Sequence, residues 1–479
     1  MKVLFLISEA APFAKTGGLG DVGGSLPQAL NRIRGEVRVM MPLYGTVPHE
    51  LRQGMRHVAD FPVSLSWRRQ PCGLWELKHR GVHYYFLDNE YYFGRQGLYG
   101  YQDDAERFAF FSRAALASLV YLTGFRPDLL HCHDWHGALV PVLLKEFYRQ
   151  DPYYYGLKTL VTVHNLKHQG ILPRHALGDL LGLGEGTPAA RRLEHRGVIN
   201  FLKGGLLAAD GITTVSPTYA EEIQYAFYGE GLDHILRDRR DRLWGILNGI
   251  DTELYNPARD PYIFANYTGP EGKGANKGAL QREFRLPEEG SIPVLAFVSR
   301  LVPQKGLDLI AHILDELLQE PIQLVVLGRG EQRYEEMFRW FAGRYPDRVG
   351  VRIDFDEALA RQIYAGADML LMPSLFEPCG LAQLIAMRYG TVPIVRETGG
   401  LKDTVIPYNQ YTGEGTGFSF ANYNAHELLF TAQRAIRIYR EEKETWHRLR
   451  NQAFRQDFSW HNSAGQYLQL YDRLLQGAV

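Results

Sequence analysis

Short apolar runs alternate with helix-length stretches along this chain, and the alternation starts over past its midpoint. In the first half VLFLIS (3–8), VRVMMP (37–42), HYYFLD (83–88), LLHCHD (129–134), TLVTVHN (159–165) and GITTV (211–215) read as strands, with helical patterns at 105–123 and 137–149. Strands alternating with helices imply a parallel sheet. A turn-rich zone, Asn256-Pro257 to Gly278, follows. Beyond it VLAFVSR (294–300), IQLVVLGRG (322–330), VGVRIDF (349–355), MLLMPS (369–374) and TVPIVRE (391–397) alternate with helices at 305–320, 331–344, 357–366 and 380–390. The expected fold is α/β: two doubly wound domains, 1–255 and 256–458, facing a cleft. Residues 425–451 read as a charged amphipathic helix, and 459–479 as a terminal helix crossing back to the first domain. Open α/β sheets bind ligands outside the carboxyl ends of their strands, so the chemistry is sought there.

Charge excludes some partners. Lys and Arg total 53 against 54 Asp and Glu in 479 residues, a net charge of -1, so no global field recruits nucleic acid or an anionic membrane. Any bound anion must be held locally. Cys72, Cys132 and Cys379 are too few and too scattered for a disulfide framework or a zinc cluster, so a reducing, cytoplasmic setting is expected. Met1-Lys2 runs directly into the first apolar run, which leaves no room for a secretory leader, and no run approaches the ~18 residues of a membrane span. The aromatic segment from Tyr84 to Phe111 reads either as core or as a stacking surface for flat ligands such as sugar rings.

The first chemical candidate is Lys15-Thr16-Gly17-Gly18-Leu19-Gly20-Asp21, between the first strand and a helix. Glycines let a ligand approach the backbone, helix N-terminal N–H groups favour an anion, and Lys15 adds a point charge. A purely structural glycine turn is the alternative. Gly18, Gly20 and Gly23 also match the dinucleotide fingerprint, but a further loop from Ser8 to Gly18 separates them from the strand, and the second strand runs into Pro42 and Leu43 rather than an acidic residue. In HCHDWH (131–136), His131 and His133 share a strand face from which Cys132 points away, so a metal site is disfavoured. Asp134 at the strand's end, with His164 and Asn165 ending the next, is the better candidate for contacts to a hydroxyl-rich ligand; satisfied core histidines are the alternative.

In the second half Arg300 ends a strand and Lys305 follows one turn later, two cations placed for a diphosphate. Glu377 precedes a helix expected near Gly380, whose free N–H groups face the same anion. A carboxylate beside an anion site is unfavourable unless it has a task. Thr398, Gly399 and Gly400 form a further anion nest after a strand. Asp354-Phe355-Asp356 has the letters of a metal-binding carboxylate pair, but it reads as a strand end.

Taken in order, KTGGLGDV (15–22), LYGYQDDAERFAFFSRAAL (98–116), HDWHGAL (133–139), NFLKGGL (200–206), TTVSPTYAEEI (213–223), NGID (248–251), RLVPQKG (300–306), PSLFEPCGL (373–381) and TGGLKDTV (398–405) resemble the bacterial glycogen synthases and plant starch synthases over nearly the whole chain. The resemblance implies a retaining glucosyltransferase with two Rossmann-like domains of the GT-B type. It would transfer glucose from ADP-glucose to the non-reducing end of an α-1,4-glucan and release ADP, with no metal or other cofactor. By the same resemblance, Lys15, Gly17, Gly18 and Gly20 would bind the nucleotide sugar, with Asp21 near the acceptor glucan. Asp134, His164 and Asn248 would line the sugar pocket, Arg300 and Lys305 would neutralise the leaving diphosphate, and Glu377 would contact the donor glucose. Cys379, Gly380, Leu381, Thr398, Gly399 and Gly400 complete the substrate-binding set. The chain departs from the family at His168, where an aromatic residue is usual, and carries Ile385 where related transferases have a second glutamate. The alternative is a glucan-binding protein with this fold and no turnover. A phosphorylase would need a lysine for pyridoxal phosphate and a much longer chain.

Overall fold

The computed structural model describes residues 1–477 and divides into two compact units. One is Met1–Gly249 together with the segment from Trp460 onward, and the other is Ile250–Ser459. The first unit is built on a nine-stranded sheet. Its spatial order is Leu243–Gly245, Gly211–Thr214, Lys158–Val163, Leu129–His133, Lys2–Leu6, Glu36–Pro42, Val82–Asp88, Arg68–His79 and Arg56–Leu65. All neighbours are parallel up to Val82–Asp88, and the last two strands form an antiparallel hairpin on the edge. Central strands such as Leu129–His133 are buried along their whole length, as the apolar runs require. The edge hairpin has no such run: in Arg56–Leu65 buried and exposed residues alternate toward the end, the mark of a strand with one wet face.

Strand order reverses between Lys2–Leu6 and Leu129–His133, so the glycine-rich loop and Asp134 leave neighbouring strands at the switch point of the sheet. Most of the aromatic segment is core: Tyr84, Tyr85, Phe86, Tyr92, Phe93, Phe108, Phe110 and Phe111 are buried, whereas Tyr91 is exposed and Tyr99 and Tyr101 are half-buried.

The second unit has a six-stranded, all-parallel sheet in the order Val349–Arg352, Gln323–Leu327, Val294–Val298, Met369–Met372, Val392–Arg396, Phe418–Phe420. Its order reverses between Val294–Val298 and Met369–Met372, the strands that lead to Arg300 and to Glu377. The boundary falls at Gly249/Ile250 rather than after residue 255. Ile250 donates its N–H to the Phe458 carbonyl at 2.8 Å, and Ile250 and Tyr255 are buried in the second unit's core. The turn-rich zone is equally anchored, since the buried Asp260 carboxylate accepts from the Tyr389 hydroxyl and pairs with Arg361 at 3.5 Å.

Two helix readings need correction. Residues 425–451 are not one helix but two, Ala425–Glu441 and Lys443–Phe454, broken at Glu442. Glu441 and Glu442 crowd the negative end of the first helix, whereas Glu444 suits the positive end of the second. The helix expected from residue 380 runs Ala382–Arg388, because Gly380 takes a φ of 73° outside the helical range.

The terminal helix, Trp460–Gln476, packs into the first unit through Trp460, Tyr467, Leu468, Tyr471 and Leu474. The Tyr471 hydroxyl meets His131 Nδ1 at 2.8 Å inside the core. Residues 478 and 479 of the expected terminal segment lie outside the described residues. Each buried aromatic lost costs about 3–5 kcal/mol. A chain ending before Trp460 is therefore expected to lose the first unit's cooperative melting transition in calorimetry while keeping the second's; a truncated protein that melts like the parent would contradict this packing.

Candidate functional site

In the first unit the organising residue is one the motif reading passed over. Glu9, three residues beyond the first strand, is buried at 3% exposure. Its carboxylate accepts from Thr16 N at 2.6 Å, Thr16 Oγ1 at 2.8 Å and Gly17 N at 3.3 Å, and lies 2.8 Å from the Tyr99 hydroxyl. A buried carboxylate is tolerated only when so many donors surround it. Glu9 thus fixes the loop whose end, Gly17, caps the helix Gly18–Ile33. The only sequence cue was an acidic residue directly after an apolar strand. Glu9→Ala is expected to lower stability by about 2–3 kcal/mol and to cut kcat/KM for the donor at least about tenfold. Unfolding curves and steady-state kinetics would check it.

The glycines divide by role. A Cβ on Gly20 would sit 2.8 Å from Lys15 Cγ, and one on Gly23 would sit 2.3 Å from the Glu9 carbonyl oxygen, so packing alone demands both. At Gly17 a Cβ would meet nothing within 4 Å, which leaves its surroundings open to a ligand. Lys15 Nζ lies 2.9 Å from Asp21 Oδ1, so the cation of the loop is held by the first turn of the helix it precedes. The structure brings Lys15, Gly17, Gly18, Gly20 and Asp21 into one loop and helix start.

Next along the switch point, Asp134 opens the helix Asp134–Phe147 with a φ of 52°, a left-handed backbone that Asp tolerates better than most residues. Its carboxylate accepts from His164 N at 2.7 Å. Burial pushes its pKa up to about 7, against the pull of the His164 and Asn165 N–H groups. His164 Nε2 meets His133 Nδ1 at 2.9 Å, and burial presses the His164 imidazole down to about 3, so it is neutral. His131 is a satisfied core histidine: Nδ1 meets Tyr471 and Nε2 meets Thr162 Oγ1 at 2.5 Å. His133 Nε2 and Asn248 Oδ1 are buried without a hydrogen-bond partner among the described residues. Unpaired buried polar atoms at strand ends are what a hydroxyl-rich ligand would satisfy.

In the second unit, Lys305 sits in the short turn Pro303–Lys305 and Glu377 in the loop after Met369–Met372. Lys305 Nζ and Glu377 Oε2 meet at 2.6 Å, and Ser374 Oγ donates to the same oxygen at 3.0 Å. The proximity is enforced by backbone, since a Cβ at Gly306 (φ 72°) would lie 2.0 Å from the Pro373 carbonyl oxygen. The carboxylate beside the expected anion site is therefore held by its own cation. Arg300 is exposed and has no ion pair or side-chain hydrogen bond among the described residues. Cys379 is buried, and Gln383 Nε2 donates to the carbonyls of Cys379 and Gly380 at 3.0 Å, fixing the approach to Leu381, the residue before the helix.

The nest reading of residues 398–400 does not hold for Gly400. Its N–H donates to the carbonyls of Glu377 at 3.1 Å and Pro378 at 3.2 Å, so it is engaged within the protein. A Cβ on Gly399 would lie 2.0 Å from the Glu377 carbonyl oxygen and one on Gly400 2.1 Å from that of Cys379. Gly399 and Gly400 thus pack closely on the loop that carries Glu377. Ile385 is core, and Asp356 caps the helix Glu357–Gly366 by accepting from Leu359 N at 3.0 Å. Among the described residues no group of three or more His, Cys, Asp or Glu is placed to hold a metal, and no helix is long and apolar enough to cross a membrane.

Two doubly wound units, each with polar and charged residues at its topological switch point, define a two-domain glycosyltransferase of the GT-B class. A family model for the starch synthase catalytic domain matches residues 2–238, and one for glycosyl transferases group 1 matches residues 281–456. The glycogen synthase of Anoxybacillus flavithermus is 54% identical over 480 residues, covering 100% of this chain and 99% of that one. That of Geobacillus stearothermophilus is 55% identical, with 99% and 98% covered. Among solved structures, the catalytic domain of starch synthase IV from Arabidopsis thaliana, bound to ADP and acarbose, aligns with a TM-score of 0.92 at 35% identity over 99% of both chains. Sucrose-phosphate synthase from Thermosynechococcus elongatus, at 19% identity and a TM-score of 0.61, shares the fold. The chain belongs to the glycogen and starch synthase family, and it is a hexosyltransferase.

Proposed function

We propose that the protein transfers glucose from ADP-glucose to the 4-hydroxyl at the non-reducing end of an α-1,4-glucan, retains the anomeric configuration and releases ADP. The observation that carries this reading is the Lys305–Glu377 pair at the second unit's switch point, with the unpaired Arg300 following the adjacent strand. Two cations suit the charge that develops on a departing diphosphate, where a fixed donor is worth about 10²–10³ in turnover. Glu377, held by Lys305 and Ser374, offers its second oxygen to a sugar hydroxyl.

In the step we propose, the bond from C1 of the glucose to the diphosphate oxygen breaks. On the same face C1 bonds to the acceptor oxygen, whose proton passes to the departing phosphate. Asp134, with a pKa near neutrality, can donate to or accept from a glucose hydroxyl, and neutral His164 beside it adds no competing charge. We further propose that Lys15 and the Gly17–Gly20 loop bind the donor, that Asp21 lies near the acceptor and that Asn248 contributes to the sugar pocket. The cations and Glu377 supply the leaving-group chemistry in this scheme without a metal. Three buried cysteines, none of them in a disulfide, fit a reducing compartment, and we infer cytoplasmic work on a glucan.

The test is release of nucleoside diphosphate from ADP-glucose and from UDP-glucose, with and without glycogen, in EDTA, while glucan length is followed. Glycogen-dependent ADP release with chain elongation in EDTA is the expected result. Glycogen binding with no release from either donor would overturn it in favour of a glucan-binding protein without turnover.

A further inference from the structure

The strands Val294–Val298 and Gln323–Leu327 do not part where their regular spans end. Their ladder continues: Ser299 N donates to the Leu327 carbonyl at 3.1 Å, Leu301 N to Arg329 at 2.9 Å, and Glu331 N to Leu301 at 2.8 Å. Val298 pairs with Leu327 and Leu301 with Gly330, so the unbroken register sets Arg300 directly beside Arg329. Paired residues on adjacent parallel strands share a face, with backbones ~4.8 Å apart. The flanking glycines enforce the approach. A Cβ on Gly328 would lie 2.0 Å from the Ser299 carbonyl oxygen and one on Gly330 2.2 Å from that of Leu301.

Arg300 and Arg329 thereby leave the backbone side by side at the carboxyl end of the sheet. Both are exposed, and neither has an ion pair or side-chain hydrogen bond among the described residues. The nearest carboxylates in sequence are committed elsewhere: Glu331 pairs with Arg333 at 2.9 Å, and Glu335 accepts from Gly330 N at 3.1 Å and pairs with Arg339 at 3.2 Å. Like charges directly opposite on neighbouring strands repel, and an arrangement that fixes them together without a counter-charge suits a polyvalent anion.

We propose that Arg329 is a further donor-binding residue, which joins Arg300 on the diphosphate of the nucleotide sugar. This rests on reading the second unit as the diphosphate-binding one, and it gives the protein three cations there instead of two. Calorimetric titration of the full-length protein with ADP and with adenosine tests it. Arg329→Ala is expected to weaken ADP binding about tenfold, as for loss of one charged hydrogen bond, and to leave adenosine binding unchanged. Arg329→Lys, keeping the charge without the fork, is expected to fall between. The free Arg329→Ala protein is expected to melt at or above the parent's temperature, since a repulsion is removed. If Arg300→Ala weakens ADP binding and Arg329→Ala does not, the role of Arg329 is overturned and the donor reading stands. If the parent does not bind ADP, both are overturned.

Discussion

Lys305→Ala is expected to cut turnover by about 10²–10³ while also destabilising the second unit, because one side chain serves two partners. Its ammonium would stabilise the departing diphosphate, and in the resting protein it neutralises Glu377, whose side chain is only 8% exposed. Removing one member of a buried pair strands the other's charge, at about 3–5 kcal/mol. The two effects separate in the double variant Lys305→Ala/Glu377→Gln. With no carboxylate left to strand, it should recover most of the stability, yet turnover should stay low. Thermal unfolding and ADP release measured on both variants would check this. Near-parental turnover in Lys305→Ala would sink the assignment of the leaving-group cation.

Asp134→Asn is expected to do the opposite, gaining stability while losing activity. Burial raises the Asp134 pKa to about 7 in the folded protein, against ~3.9 for the unfolded chain. Between about pH 4 and pH 7 the native state therefore holds a proton that the unfolded state has released. Stability falls as pH rises through that window, by up to about 4 kcal/mol for a shift of this size. Asparagine keeps the oxygen that accepts from His164 N and tolerates the left-handed backbone, but it carries no charge to bury. Chemical denaturation from pH 5 to 8 should show a flatter stability profile in the variant, with the gain largest at pH 8. Its kcat should fall at least about tenfold if the carboxyl group contacts the sugar. A variant with the parent's pH slope would mean that Asp134 is not the titrating group.

The parallel strands of both sheets were legible because the central ones are buried on both faces and so appear as bare apolar runs. The edge hairpin 56–79 was not, since strands with one wet face mix Arg, Asp and Ser into the pattern. Arg300, Lys305, Glu377 and Asp134 could be placed at strand ends from sequence. The 2.6 Å contact between Lys305 and Glu377 could not, because the two residues are 72 apart in the chain and only the pairing of neighbouring strands brings them together. Glu9 escaped for a related reason: its donors come from Thr16, Gly17 and Tyr99, and only folding gathers them. Gly399 and Gly400 add a second lesson. Glycine signals close backbone approach, but sequence does not say which neighbour approaches; here one of them is the loop that carries Glu377 and Cys379.

The first unit is completed by the last helix of the described chain, after the whole second unit has intervened. On the ribosome, where domains emerge amino end first at ~5–20 residues per second, its nine-stranded sheet lacks Tyr467 and Tyr471 for the tens of seconds in which the second unit is made. The second unit, continuous in sequence, needs no segment from beyond itself. The face around His131, which Tyr467 and Tyr471 cover, is therefore where a nascent chain would stay open to chaperones.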